Sequence, residues 1–139
     1  MSVHVHELRP RIAESEKITI NLGHIDLGQV DLLVQEGFYS NRTDFIRTAI
    51  RNQIERHAEV VKQTITRNSV DLGLRHFSRA DLEALRDTGR MIDIRVLGLA
   101  SIADDVEPEL ALAVIASVNV LGALHASSAV KAALAERIV

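Results

Sequence analysis

The chain has 139 residues, a net charge of −3 and no cysteine, and 47% of its residues are hydrophobic. These values predict a folded protein of one domain or two small ones, and they exclude a disulfide framework and thiolate chemistry. No apolar signal-peptide core and no stretch of about 18 apolar residues is found, so we expect a cytoplasmic protein. Basic residues exceed acidic ones, six to three, within residues 37–67, which predicts a local anion-binding surface there.

The amino-terminal part of the chain predicts an arm followed by a strand. Residues 1–15 show no apolar period and are interpreted as the arm. Residues 17–22 alternate between polar and apolar side chains, which predicts a half-buried strand that ends at Gly23. Its apolar side consists of Ile18, Ile20 and Leu22, and its polar side consists of Lys17, Thr19 and Asn21.

A first helix is predicted to follow the strand. Asp26 is expected to cap it, and an apolar stripe carries it to about Glu36. Gly37 then occupies the position just past a helix end, where glycine is favoured because it adopts a positive φ at no steric cost.

A second, longer helix is predicted after a polar turn. Ser40 or Asn41 is expected to cap it, and apolar residues at helical spacing extend it to about Thr66. The polar residues that come next predict a short linker, so we place a domain boundary near residue 68.

The second half of the chain contains an internal repeat of 24 residues. Residues 94–115 align with 118–138, so that Leu97-Gly98 matches Leu121-Gly122. A weaker third copy precedes these two, in which Gly73-Leu74 reverses the Leu-Gly order. Each copy is interpreted as a short strand, a turn and a short helix, with the shared glycine in a structural role. Such units bury their apolar faces only by stacking, which predicts a small solenoid with parallel strands; a compact α/β sandwich is the alternative.

Each predicted helix of the repeat has a defined start. Ser78 is expected to cap the first helix, and Gly89 to close it. Pro108 is expected to open the second, because its missing N–H has no role in a first helical turn. Ser127, followed by a second serine, is expected to precede the third.

The order of strand, helix, polar turn and amphipathic helix resembles the ribbon-helix-helix family of DNA-binding transcriptional regulators, over about residues 16–57. The matching residues are Lys17 to Leu22 in the strand, and Gly37, Tyr39, Ser40, Arg42, Thr43, Asp44, Phe45, Ile46 and Arg47 in the turn and second helix. The resemblance implies an intertwined dimer formed by residues 16–68. With the βα-repeat domain of residues 69–139, assigned to oligomerisation, the predicted fold class is α+β.

The resemblance also implies where DNA is contacted. Two copies of the strand form an antiparallel ribbon that fits the major groove of B-DNA. Base contacts are expected from Lys17, Thr19 and Asn21. Phosphate contacts are expected from Ser40, Asn41, Arg42, Thr43 and Arg47 at the start of the second helix, where free N–H groups favour anions. The dimer core is expected to contain Ile18, Ile20, Leu22, Phe45, Ile46 and Ile50.

Other chemistry is not indicated. The chain has no nucleophile elbow, phosphate-binding glycine loop or zinc-protease motif, so we expect no enzyme and no cofactor. His4 and His6 form a pair in the arm and the remaining histidines are scattered, so no metal site is predicted. Nickel-responsive members of the family use clustered histidines with a cysteine, which this chain lacks. The acidic run of Asp104, Asp105 and Glu107 is interpreted as a solvated turn, not a cation site.

The predicted function is sequence-specific transcriptional regulation, with repression as the expected direction, by a homodimer on a double-stranded DNA operator. The C-terminal domain is expected to join dimers into tetramers or larger species. One alternative is an antitoxin or plasmid-maintenance protein whose C-terminal half binds a protein partner, although antitoxin tails in this family are usually short and unstructured alone. The sequence is also compatible with a repeat-based scaffold or with a small-molecule sensor.

Overall fold

The computed structural model describes residues 15–139, and contacts divide them into two units. The N-terminal unit comprises Lys17–Arg67, and the C-terminal unit comprises Asn68–Val139. The predicted arm, with His4 and His6, lies outside the described residues apart from its last residue. None of the helices in residues 15–139 is long and apolar enough to cross a membrane.

The N-terminal unit is helical. It contains α1 (His24–Gln35) and α2 (Arg42–Arg56), and α3 (Ala58–Asn68) runs on to the boundary with the next unit. The N-cap of α1 is Gly23, so the prediction that Asp26 caps this helix was wrong. Asp26 instead lies in the first turn, where a carboxylate interacts favourably with the positive end of the helix.

The end of α1 follows the predicted glycine stop. Gly37 has a φ of 85° and donates its N–H to Val34 O, while Phe38 N–H binds Leu33 O. These two hydrogen bonds form a Schellman motif, which satisfies carbonyl groups that have no partner inside the helix. The prediction for Gly37 is therefore confirmed.

The predicted strand at residues 17–22 is not a strand in the single chain, where residues 16–23 have no regular structure. A β-strand requires hydrogen bonds to a neighbouring strand, and the expected neighbour is the same segment of a second copy. The ribbon therefore stays a prediction.

The second predicted helix is divided in two. His57 has φ −104° and ψ 12° and separates α2 from α3, so a single helix reaching Thr66 was wrong. The N–H of His57 binds Ile54 O, three residues back, where an α-helix would use the carbonyl four residues back. Residues 51–60 are all exposed, so no packing against the rest of the unit holds this stretch in one straight helix.

The C-terminal unit is built from alternating strands and helices. In chain order these are β1 (Asp71–Phe77), α4 (Arg79–Asp87), β2 (Ile92–Ile102), α5 (Pro108–Val114), β3 (Ile115–His125) and α6 (Ser128–Ala133), followed by a 3₁₀ turn (Ala135–Arg137). The three strands form one parallel sheet in the order β1-β2-β3. The described chain is therefore of mixed helix and strand composition, with a small parallel sheet.

The helix starts in this unit lie where the sequence predicted them. Ser78 accepts a hydrogen bond from Asp81 N at 3.1 Å, and Asp81 returns one to Ser78 N at 3.0 Å, which forms a capping box. Pro108 occupies the first turn of α5, and the side chain of Ser127 caps α6. Gly89 closes α4 with a φ of 67°.

The strand register corrects one part of the repeat alignment. Between β2 and β3 the offset is 24 residues, so Gly98 pairs with Gly122. Between β1 and β2 it is 25 residues, and Gly73 pairs with Gly98. The predicted offset of 24 for the first copy, with a reversed Leu-Gly order, was wrong. A shift of one residue aligns Leu72-Gly73-Leu74 with Leu97-Gly98-Leu99 in the same order.

The three aligned glycines share a positive φ, and two of them are also required by close backbone contact. Gly73, Gly98 and Gly122 have φ values of 118°, 137° and 120°, a region that side chains strongly disfavour. A Cβ atom on Gly98 would lie 2.3 Å from Gly73 O, and one on Gly122 would lie 2.1 Å from Gly98 O. The shared glycine of the repeat therefore permits the strands to approach at this level of the sheet.

The hydrophobic core of this unit lies between one face of the sheet and the helices. Ile94, Val96 and Ala100 of β2 are at most 1% exposed. From the helices, Leu82, Leu110, Ala111, Val114, Val130 and Leu134 complete the same buried cluster. The core is aliphatic apart from Phe77, as the low aromatic content of the chain requires.

Candidate nucleic-acid interface

The predicted base-contacting residues are accessible. Lys17, Thr19 and Asn21 are all exposed in the single chain. Together they offer an ammonium donor, a hydroxyl group and an amide, which are the groups that hydrogen-bond to base edges in the major groove.

The apolar residues of the same segment border an open groove. Ile18, Ile20 and Leu22 are 73%, 60% and 43% exposed. Ile20 and Leu22 line this groove together with residues from both following helices, among them Val30, Leu33, Phe45, Ile46, Ala49 and Ile50. Five of the six predicted dimer-core residues thus lie around one apolar depression, and the sixth, Ile18, lies two residues from its rim.

The core of the N-terminal unit is incomplete in one chain. Among its described residues, Val30 is the one hydrophobic side chain that is buried, whereas Ile50 and Ile54 remain 46% and 60% exposed. Burying a large aliphatic side chain contributes about 1.5–3 kcal/mol, so a unit that buries so few cannot offset its conformational entropy alone. The groove requires apolar side chains from elsewhere to complete it.

The turn before α2 is held by reciprocal hydrogen bonds. Asn41 Oδ1 accepts from Asp44 N at 2.8 Å, and Asp44 Oδ2 accepts from Ser40 N at 2.9 Å. Of the two predicted caps, Asn41 is therefore the N-cap. Tyr39 and Phe45 add an edge-to-face contact, with ring centroids 5.0 Å apart and planes at 85°. These contacts fix the direction of the helix start.

The start of α2 keeps two N–H groups available. The first backbone hydrogen bond inside the helix runs from Phe45 N–H to Asn41 O, and Asp44 N–H is bound by the Asn41 side chain. By helix geometry, the N–H groups of Arg42 and Thr43 have no acceptor within the helix. They can therefore donate to an anion such as a phosphate oxygen, at the positive end of the helix dipole.

Arg42 is engaged within the chain. Its guanidinium donates to both carboxylate oxygens of Asp31, Nε to Oδ1 at 2.7 Å and Nη2 to Oδ2 at 2.8 Å. These hydrogen bonds lower the pKa of Asp31 and raise that of Arg42. The pair links α1 to α2, so the Arg42 side chain positions the turn. Sequence reasoning missed Asp31 as its partner, because a separation of 11 residues across a turn leaves no periodic signal.

The remaining predicted phosphate contact, Arg47, is exposed one turn further along α2.

No group of three or more potential metal-binding residues is found within residues 15–139.

A unit with an open apolar groove, bordered by a segment with exposed polar side chains, is typical of the DNA-binding proteins that act as paired chains. A family model of ribbon-helix-helix transcriptional regulators matches residues 13–131. The chain therefore belongs to the ribbon-helix-helix transcriptional regulator family, which confirms the resemblance, and its class is that of DNA-binding transcriptional regulators. No curated protein and no solved structure gives a significant match to the chain.

Proposed function

We propose that the protein is a sequence-specific transcriptional repressor that binds operator DNA as a homodimer. The observation that carries this proposal is the open groove of the N-terminal unit, lined by Ile20 and Leu22, with Lys17, Thr19 and Asn21 left exposed on the same segment. When two copies pair along residues 17–22, the apolar side chains fill the groove and the polar ones form one outward surface.

The outward surface of this ribbon has the chemistry for reading bases. Lysine donates to the guanine acceptors O6 and N7, and asparagine can bond adenine through two hydrogen bonds. Threonine can bond a base edge or contact a thymine methyl group. Lys17, Thr19 and Asn21 of each copy would thus present six side chains to the major groove.

The start of α2 would anchor the ribbon to the DNA backbone. The N–H groups of Arg42 and Thr43 would bind a phosphate, with Ser40 and Asn41 shaping the turn around it. Arg47 would add positive charge. We assign the Arg42 side chain to holding the turn through Asp31, so its contribution to phosphate binding comes from its backbone.

The C-terminal unit would serve assembly in the cytoplasm. It forms a separately packed α/β core, and open ends of a stacked repeat favour association. An oligomer made of several dimers would bind several DNA half-sites at the same time, which increases the avidity for the operator. We expect removal of residues 69–139 to leave a dimer that binds DNA more weakly and less cooperatively. If the shortened chain keeps the oligomeric state of the full chain in sedimentation velocity, this assignment is wrong.

The test of DNA reading is a titration of the full chain with duplex DNA from upstream of its own gene, at several salt concentrations and against random DNA. Wild type is expected to prefer the upstream DNA by roughly 10³-fold or more, as specific binders do. The Lys17→Ala/Thr19→Ala/Asn21→Ala variant is expected to lose that preference.

A matched control removes the same residue types elsewhere. Lys131, Thr64 and Asn52 are exposed, and replacing all three with alanine deletes one lysine, one threonine and one asparagine outside the ribbon. This variant is expected to retain the preference. If wild type and the ribbon variant bind both DNAs alike, with the same salt dependence, the polar face is only solvated and the proposal fails.

A further inference from the structure

One face of the parallel sheet carries two rows of apolar side chains that residues 68–139 leave uncovered. Strand register places Leu72, Leu97 and Leu121 in one row, and Leu74, Leu99 and Ala123 in the next. We call these six residues the leucine face. Leu72, Leu74 and Leu121 are 69%, 70% and 63% exposed, and the remaining three residues, Leu97, Leu99 and Ala123, are half-buried.

The opposite face of the same sheet shows what is missing. There, Ile94, Val96, Ala100 and Val118 are buried beneath the helices to 1% exposure or less. Parallel sheets occur almost always with both faces covered, because their strands are apolar on both sides. The leucine face is therefore the side of the sheet that a parallel sheet normally has covered.

Several polar groups that border the leucine face form hydrogen bonds within the chain. His76 Nδ1 and Ser101 Oγ lie 2.6 Å apart at one end, and Ser117 donates to Asp93 at 2.6 Å at the other. Arg95 donates to Asn68 O at 3.1 Å. The six residues themselves carry no charge. A surface that covers these six residues therefore makes apolar contacts with them and needs no charged group opposite them.

We propose that the leucine face packs against the leucine face of a second copy of this chain. An uncharged apolar surface can pack against an identical one, and a two-fold axis generates such a contact from one patch. The inference rests on the proposed function in one respect: pairing of the N-terminal units brings the copies together. Two C-terminal units attached to one dimer meet at a high effective concentration.

The size of the face fits this tethered pairing. Three strands about 4.8 Å apart, each contributing three residues at about 3.3 Å per residue, give a footprint of roughly 14 by 10 Å. That is well below the roughly 800 Å² per partner of a stable free-standing interface. Such a contact is weak between separate molecules and becomes populated when the two copies are already linked.

The two-fold packing makes a specific prediction about the central strand. Leu97 and Leu99 lie on β2, between the two edge strands. A two-fold axis through the centre of the face brings these two residues closest to their own copies. Packed sheets are about 10 Å apart, a distance that a short bis-maleimide can bridge between two thiols. The chain has no cysteine, so a Leu97→Cys variant carries one reactive thiol per chain.

The experiment treats full-length Leu97→Cys with a short bis-maleimide and measures covalent dimers by denaturing electrophoresis. Most chains are expected to be linked. Met91→Cys is the control, because Met91 is 52% exposed in the same unit but precedes β2. Its yield is expected to be at least ten-fold lower. Adding Leu72→Asp and Leu121→Asp to Leu97→Cys is expected to reduce linking to the level of that control.

The outcomes are decisive. Absence of linking in a Leu97→Cys protein that is folded by circular dichroism and dimeric by sedimentation overturns the proposal. Equal linking of Leu97→Cys and Met91→Cys overturns it too, because random collision then explains the product. Leu99→Cys replaces Leu97→Cys if the latter does not fold. Linking without any DNA preference refutes the proposed function alone, whereas DNA preference without linking refutes this interface alone.

Discussion

The glycine at the centre of the sheet provides a quantitative test of the structure. In Gly98→Ala, the new Cβ would lie 2.3 Å from Gly73 O and 3.1 Å from Gly73 C, both backbone atoms of a paired strand. Neither atom can rotate away, so β1 and β2 must separate locally. Overpacking of this kind costs about 1–3 kcal/mol. The φ of 137° adds a backbone strain of about 1–3 kcal/mol for any residue other than glycine.

A second glycine separates these two contributions. Gly73 has a φ of 118°, but a Cβ atom there has no neighbour within 4 Å. Gly73→Ala therefore introduces the backbone strain without the clash. We expect Gly98→Ala to lower the free energy of unfolding of the C-terminal unit by about 1–3 kcal/mol more than Gly73→Ala does. Both losses are large against the roughly 5–15 kcal/mol that stabilises a typical protein.

The assay is urea denaturation followed by far-ultraviolet circular dichroism, because the chain has no tryptophan. The midpoint of Gly98→Ala is expected well below that of Gly73→Ala, which is itself below wild type. If the two variants unfold within about 0.5 kcal/mol of each other, the size of an ordinary surface effect, the close approach of β1 and β2 at this level is refuted.

Three further substitutions test other parts of the molecule. Gly28→Ala is expected to stabilise the protein by up to about 1 kcal/mol, because Gly28 lies inside α1 with open space around it; an unchanged or lower urea midpoint contradicts this. Leu22→Asp places a charge in the apolar groove and is expected to convert dimers into monomers in sedimentation velocity. Val60→Asp is the control, because Val60 is 62% exposed, and it is expected to leave the dimers intact. If the two variants sediment alike, the groove is not the dimer core. Ser78→Ala removes the cap of α4 and is expected to cost about 0.5–2 kcal/mol at neutral pH. Hydrogen bonds from Ser78 lower the pKa of Asp81 below 3.8, so this carboxylate stabilises the fold above that pH and the contribution is lost as the pH falls through its folded value. Alanine keeps the backbone N–H of residue 78, which is the larger cause of this lowered pKa, so Asp81→Asn is the variant whose difference from wild type should shrink in acid; a difference that does not change as the pH falls argues against the capping box.

The N-terminal unit shows why a strand can be predicted from sequence and yet be absent from a single chain. Alternation over residues 17–22 reports which side chains face a core, and Ile20 and Leu22 do line the groove. Hydrogen bonds that define a strand come from a partner, and no property of the segment supplies them. The pattern therefore predicts a strand, and the hydrogen bonds that would form it stay a prediction about a second copy.

What the sequence by itself determined is local. Three helix ends depend only on groups within about five residues of each other: the glycine stop at Gly37, the capping box of Ser78 and the start of α5 at Pro108. The neighbouring residues in the sequence are therefore enough to predict them. The family likewise follows from a short ordered motif, because strand, turn and helix are contiguous.

Tertiary structure decided the features that join distant residues. The pair of Arg42 with Asp31 depends on how α1 and α2 cross, and the β1–β2 offset of 25 depends on where Gly73 can meet Gly98. The exposure of Leu72 depends on the helices all packing on the other face of the sheet. An apolar residue in a sequence shows that it prefers burial, but only the arrangement of whole elements decides whether its own chain provides the cover.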